Sequence, residues 1–294
     1  MLNRVTNLTM SANAQRTLQF QQAKLAELQD KASSLNKISR PSDDPAATAQ
    51  ALATRSLQAA NSQYGRNIDD GNTWLTAADT ALEQATNVMH RIKDLTVQAG
   101  NGSLPQSGKD AIAAELESLN KDLVSIANSK HLGRNIFAGN SDADMIYTGT
   151  PPALDGLPAS PVERRISATQ AVRVDADGKA IFGSGTGSVF DTISKLAADL
   201  RAGKDATPWS SNVDKGFKDI VNGRAEIGTR QAQLERAGNV NTEMEASLDA
   251  QRTGIEKADL GSVIMDLKLQ ETNYQVALAA TARVLQPTLM DFLR

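Results

Sequence analysis

Apolar residues recur along most of this chain at intervals of three and four, the period of a helix that buries one face. Residues 255–294 carry the pattern in its barest form: Ile264, Leu267, Tyr274, Leu278, Leu285, Leu289 and Phe292 fall on one narrow stripe. A matching thin seam runs through residues 1–40 at Leu18, Leu25, Leu28, Ala32 and Leu35, set among Asn, Gln, Thr and Ser. One such stripe on a helix of about 40 residues removes too little apolar surface from water to offset the entropy of ordering its backbone. Each terminal helix therefore needs a partner, either the other terminus or a helix of a neighbouring molecule. Leu18, Leu25, Leu28, Leu35, Ile264, Leu267, Tyr274, Leu278, Leu285, Leu289 and Phe292 form the expected assembly interface. Pro287 lies inside the stripe and removes a backbone donor, so the helix is expected to reach about Gln286 and to end in a kinked last turn.

Between the termini the punctuation is strong. In Ser39-Arg-Pro-Ser-Asp-Asp-Pro-Ala-Ala47, Pro41 bars Arg40 from the helical region, Asp44 is placed to cap, and Pro45 suits a first helical position that needs no donor. The next helix is predicted from Pro45 to Ala99, with a stripe at Leu75, Ala78, Leu82, Ala85, Met89, Ile92, Thr96 and Ala99. A helix of some 50 residues spans roughly 75 Å, which predicts a rod. A turn at Gly100–Gly108 leads to a third helix, with Ser107 and Asp110 as a capping box and Ile112, Leu116, Leu119, Leu123 and Ile126 as its seam, ended by Gly133. From Phe137 to Trp209 Gly and Pro accumulate and the helical period is lost. Val172–Val174 and Ala180–Phe182 flank Asp177-Gly178 as a predicted β-hairpin, Met145–Tyr147 and Arg164–Ser167 are further strand candidates, and Phe190, Ile193, Leu196, Ala197 and Leu200 mark a short helix. From Asn212 the helical period returns through Val213, Phe217, Ile220, Ile227 and Leu234, with a phase slip near Gly238 before Val240, Met244, Leu248 and Ile255.

The fold class that follows is mainly α: a long antiparallel helical rod or coiled-coil bundle formed by the N- and C-terminal halves, with a small β-rich (α+β) insertion. The expected division is 1–42 with 255–294 as terminal assembly helices, 43–137 with 210–254 as the helical rod, and 138–209 as a surface-exposed insertion.

Composition narrows the function. In 294 residues with a net charge of −3 there is no basic block to hold phosphates, which argues against nucleic-acid binding. The absence of cysteine removes disulfides, thiolate nucleophiles and thiolate metal sites. No apolar run reaches the length of a membrane span or a signal peptide, so export, if it occurs, is expected without a cleaved leader. His90 has no ligand-spaced companion and reads as a helix-surface residue, and His131 reads as a helix C-terminal residue. Phe182-Gly-Ser-Gly-Thr-Gly-Ser188 imitates a dinucleotide loop but has Ser where the third glycine belongs, and it reads as a linker. Trp74 and Trp209 read as packing anchors. No catalytic, cofactor or metal site is expected.

Four segments together carry a family resemblance: Ser39-Arg-Pro-Ser-Asp-Asp-Pro-Ala-Ala47, Gly133-Arg-Asn-Ile-Phe-Ala-Gly139, Arg224-Ala-Glu-Ile-Gly-Thr-Arg230, and Asn273 to Arg294. The chain resembles the bacterial flagellin family. Filament subunits of that family usually carry a Ser-Ala-Lys-Asp-Asp-Ala-Ala type of segment where this chain has Arg40-Pro-Ser-Asp-Asp-Pro, a departure that favours a junction subunit between hook and filament. The resemblance implies a secreted structural subunit, exported unfolded by the flagellar type III apparatus and assembled through its terminal helices. It implies as partners the neighbouring hook-associated protein, flagellin, copies of itself in a ring, and an export chaperone on the C-terminal helix, for which the uncovered seam points to a footprint of Asp259 to Arg294. A filament subunit and, from another class, a cytoplasmic coiled-coil adaptor remain the alternatives.

Overall fold

The computed structural model describes residues 2–154 and 160–284. Helices dominate: α1 (Leu2–Ser34), α2 (Pro45–Ala99), α3 (Gln106–Ala127), α4 (Gly178–Phe182), α5 (Val189–Arg201), α6 (Ser210–Glu256) and α7 (Leu260–Val284). Six short strands form three antiparallel two-stranded ladders: β1 (Lys130–His131) with β2 (Arg134–Asn135), β3 (Tyr147–Thr148) with β4 (Ala153–Leu154), and β5 (Glu163–Arg165) with β6 (Ala171–Arg173). The fold is thus mainly α, with long terminal helices packed on each other and a small antiparallel β insertion. The chain divides into two compact units, residues 1–60 with 245–294, and residues 61–244.

The second unit holds nearly the whole core. Every position of the predicted α2 stripe, Leu75, Ala78, Leu82, Ala85, Met89, Ile92, Thr96 and Ala99, is buried. It meets Ile112, Ala113, Leu116 and Leu123 of α3, Ile193, Leu196 and Leu200 of α5, and Val213, Ile220, Ile227 and Leu234 of α6 in one continuous cluster. Ion pairs tie the polar rims of this bundle: Arg91 to Glu115, Lys93 to Asp214, Arg201 to Glu117, and Arg224 to Asp79. At the far end of its α2 segment, Asn61 and Asn241 clasp reciprocally, each amide donating to the other's backbone carbonyl at 3.0 and 2.8 Å.

The insertion shares this core. Phe137, Tyr147, Phe182 and Phe190 form an aromatic knot, with Phe190 5.0 Å from Tyr147 and 5.7 Å from Phe182. The Tyr147 hydroxyl donates to the Gly178 carbonyl at 2.6 Å, with the Gly183 carbonyl sharing that proton at 3.1 Å. Burial, with Asp177 nearby, pushes that phenol well above its ordinary pKa and keeps it a donor.

Three local expectations are corrected. The predicted hairpin about Asp177-Gly178 is absent: β6 pairs with β5, and Ala180–Phe182 belongs to α4, where the Asp177 carboxylate accepts the Ala180 N–H. Asp-Gly suits a hairpin turn and a helix start equally, and here Ala176 and Gly178 donate to the carbonyls of Ile136 and Phe137, which fixes the helical alternative. Helix α3 starts after Pro105 with no side-chain cap, because proline at the N-cap position has no side-chain acceptor, and Asp110 accepts instead from the Gln106 amide at 2.8 Å. The helix also stops before Gly133: Leu132 and Gly133, both at positive φ, form the turn between β1 and β2. His131 lies on β1, its ring edge-on to buried Trp74 at 5.5 Å, and His90 is exposed against Phe217.

Gly178 is the tightest backbone approach in this region. A Cβ there would lie 2.6 Å from the Phe137 carbonyl oxygen, a contact neither backbone can relieve without moving. Gly178→Ala is expected to cost about 1–3 kcal/mol through overpacking, read as a drop of several degrees in Tm by calorimetry. An unchanged Tm would show that the knot has slack.

Candidate assembly interface

The first unit is built on the opposite economy. Its buried apolar side chains, among those described, are Leu28, Ala51, Leu248 and Val263, and none of them is completely closed off from solvent. Two ends of a seam hold it together. At one, the segment after α1 is stitched to the turn between α6 and α7: Lys37 donates to the Glu256 carbonyl at 2.7 Å and Ala258 donates to the Leu35 carbonyl at 2.9 Å, while Arg55 of α2 pairs with Glu256 at 2.8 Å. Further along, the Gln270 amide donates to the Gln21 carbonyl at 3.2 Å and also to the Gln21 side-chain oxygen. As residue numbers rise on α1 they fall on α7, so the pair is antiparallel.

The inward positions follow a strict alternation of three and four. On α1 they are Ser11, Ala14, Leu18, Gln21, Leu25, Leu28 and Ala32, and on α7 Val263, Leu267, Gln270, Tyr274, Ala277 and Thr281, all buried or half-buried. This is a coiled-coil seam with a glutamine layer at its centre, a placement that fixes register at some cost in stability. In that register Leu28 lies level with Val263, Leu25 with Leu267, and Leu18 with Tyr274. Lys24 and Lys31 both pair with Glu27 on the outer face of α1, holding its carboxyl below the ordinary range.

The expected interface residues fall into three groups. Leu18, Leu25, Leu28, Leu267 and Tyr274 lie in the seam. Leu35 sits just past α1 at positive φ, 38% exposed, while Ile264 and Leu278 lie on α7 at 47% and 43% exposure. Leu285, Leu289 and Phe292, and the kink expected at Pro287, lie outside the described residues. The sequence reading missed Ser11, Ala14, Gln21, Val263, Gln270, Ala277 and Thr281. Demanding the three-four alternation, instead of following the largest apolar residues, would have found them.

Beside the seam lies an uncovered apolar surface. Leu260, Ile264, Met265, Leu269, Val276 and Leu278 of α7, Met10 and Phe20 of α1, and Leu52 and Leu57 of α2 are all exposed. A cleft of about 630 Å³ between α1 and the start of α7 is lined by Leu28, Val263 and Leu269, with Lys24, Lys31, Lys37, Lys257, Asp259 and Asp266 around them. Exposed apolar surface concentrated on one poorly cored unit marks a surface made to be covered. Among the described residues no helix is long and apolar enough to cross a membrane, and no cluster of three or more His, Asp or Glu side chains could hold a metal ion.

The features define a class: a helical structural subunit with a well-cored body and a sparsely cored terminal pair. The chain belongs to the bacterial flagellin family, residues 5–142 matching its N-terminal helical region and residues 211–293 its C-terminal helical region. Membership makes it a structural protein of the flagellum and not an enzyme. It is similar to flagellar hook-associated protein 3 of Salmonella typhimurium, 25% identical over 282 residues, covering 87% of this chain and 89% of that protein. It is also similar to the flagellar filament 31.3 kDa core protein of Treponema maltophilum, 25% identical over 287 residues, covering 96% and 95%. Among solved structures, flagellar hook associated protein-3 of Legionella pneumophila shares the fold with a TM-score of 0.61 at 14% identity, covering 69% of this chain and 98% of that one.

Proposed function

We propose that this chain is the junction subunit that joins the flagellar hook to the filament, secreted through the type III flagellar apparatus and assembled by its terminal helices. The observation that carries the reading is the contrast between the two units. Residues 61–244 own a continuous core, whereas the terminal pair has a thin, partly polar seam flanked by exposed Met265, Leu269, Val276 and Phe20. Helices of that kind are marginal alone, which suits export as an unfolded chain, and they gain their stability on docking, so that folding and assembly become one step. The similarity to hook-associated protein 3 supports the junction in particular. The partners in this reading are the adjacent hook-associated protein on one side, flagellin on the other, copies of the chain in a ring, and before secretion a chaperone over Asp259 to Arg294. In this reading residues 138–209 are the surface-exposed module and 43–137 with 210–254 the helical rod.

Deleting the gene in the source bacterium is expected to leave hooks without filaments and to release flagellin into the medium, seen by electron microscopy and immunoblotting. Normal swimming would sink the reading. The likeness to a filament core protein favours one other reading, a filament subunit. Purified protein that extends filament seeds without limit would select it, because a junction subunit stops after its own zone.

A further inference from the structure

The chain contains two Asn-Gly pairs, Asn101-Gly102 and Asn222-Gly223. In such a pair the glycine nitrogen can attack the asparagine side-chain carbonyl carbon, because glycine has no Cβ to hinder the approach and leaves the backbone free to bend. The structure puts the two pairs in opposite settings. Asn222-Gly223 lies inside α6, where the Gly223 N–H is engaged in the helix hydrogen bonds and the backbone is packed against α4, so close that a Cβ at Gly223 would lie 2.5 Å from Ile181. Asn101-Gly102 belongs to the exposed turn between α2 and α3, which the Leu104 N–H closes by donating to the Asn101 carbonyl at 3.0 Å. The Gly102 N–H has no acceptor among the described residues.

The Asn101 side chain is also held and polarised for that attack. Its Oδ1 accepts the Ser103 hydroxyl at 2.9 Å and the Ser103 N–H at 3.3 Å, an Asx-turn that directs the amide along the chain, over the Gly102 peptide. Both donors sit on the oxygen that takes up negative charge when the carbonyl carbon is attacked, as in an oxyanion hole. Nucleophile and electrophile are neighbours in one chain, so no translational entropy opposes the step. At Asn222 the same chemistry would require the helix to open first.

We propose that Asn101 is a self-modification site. The Gly102 nitrogen gives up its proton to hydroxide and bonds to Asn101 Cγ, and the adduct collapses with loss of the side-chain nitrogen as ammonia, leaving a succinimide. Water then opens the ring at either carbonyl, to aspartate or isoaspartate. Both products add one negative charge, and isoaspartate lengthens the backbone of the turn by a methylene, so the modified fraction rises with the age of the molecule. The inference does not depend on the junction reading. The test incubates the full native chain in mildly alkaline buffer and follows the peptides carrying Asn101 and Asn222 by mass spectrometry, with enzymatic methylation to count isoaspartate. The Asn101 peptide is expected to gain one mass unit at least tenfold faster than the Asn222 peptide, and unfolding the chain in guanidinium should remove most of that difference. Gly102→Ala should slow the change at least tenfold and Ser103→Ala at least threefold, with Tm unmoved, since Ser103 is exposed and a Cβ at Gly102 meets nothing within 4 Å. Equal rates at the two asparagines in the native chain, or an Asn101 rate that neither variant slows, would overturn the proposal.

Discussion

A chain carrying Leu25→Asp together with Leu267→Asp is expected to leave cells non-motile while its own body stays folded. The glutamine bond at Gln21 and Gln270 sets these two leucines level with each other in the antiparallel seam. Each substitution removes a half-buried leucine from a unit whose buried apolar set, among the described residues, is Leu28, Ala51, Leu248 and Val263. Each also places a carboxylate where it is partly desolvated, and the pair faces like charge with like. Losing one core leucine costs about 2–5 kcal/mol in a well-packed site, and a marginal helix pair has little in reserve. Far-UV circular dichroism should therefore show helix lost, while the calorimetric transition of residues 61–244 remains. Swimming in soft agar should be abolished. Leu25→Lys with Leu267→Asp, which turns repulsion into attraction across the same layer, should recover part of the helical signal. Full motility of the double aspartate variant would mean that this seam is not what assembles the protein.

The second large effect belongs to the body. Phe190 is fully buried in the aromatic knot, between Tyr147 and Phe182, so Phe190→Ala opens a cavity that rigid neighbours cannot fill. The expected loss is about 3–5 kcal/mol, which for a unit of this size lowers Tm by roughly 10–15 °C. Phe20→Ala supplies the contrast. That ring is 69% exposed, so the isolated protein should melt within a degree or two of the parent. Equal losses at the two sites would contradict the division between a body stabilised by its own core and termini stabilised by neighbours.

How much of this was legible in the sequence depended on whether the deciding interaction was local. Both ends of α2 could be read because they are written in nearby chemistry: Asp44 accepts the Ala47 N–H at 2.9 Å, Pro45 opens the helix, and the turn after Ala99 closes it. Its stripe was legible because one wide apolar face serves one core. Asp177-Gly178 was misread because the same dipeptide suits two structures and the choice is made by the backbone of Ile136 and Phe137, some forty positions earlier. The terminal seam was legible in existence and blurred in detail. Val263, Ala277 and Thr281 face inward where Ile264 and Leu278, the larger residues, face outward. Large apolar residues on the outside are what a helix with further partners needs, so the reading that followed size mixed the intramolecular seam with the surface left for other molecules.

The central claim is that the exposed flank of α7 becomes covered in the assembled flagellum. Because the chain has no cysteine, a single Met265→Cys or Val276→Cys substitution reports its own site alone. Maleimide labelling should be fast on the purified variants, as fast as on a Leu132→Cys control at the exposed β1–β2 turn. On isolated flagella from swimming cells, labelling at positions 265 and 276 should fall at least tenfold. Labelling at both positions that stays as fast in assembled flagella as in free protein would contradict the account.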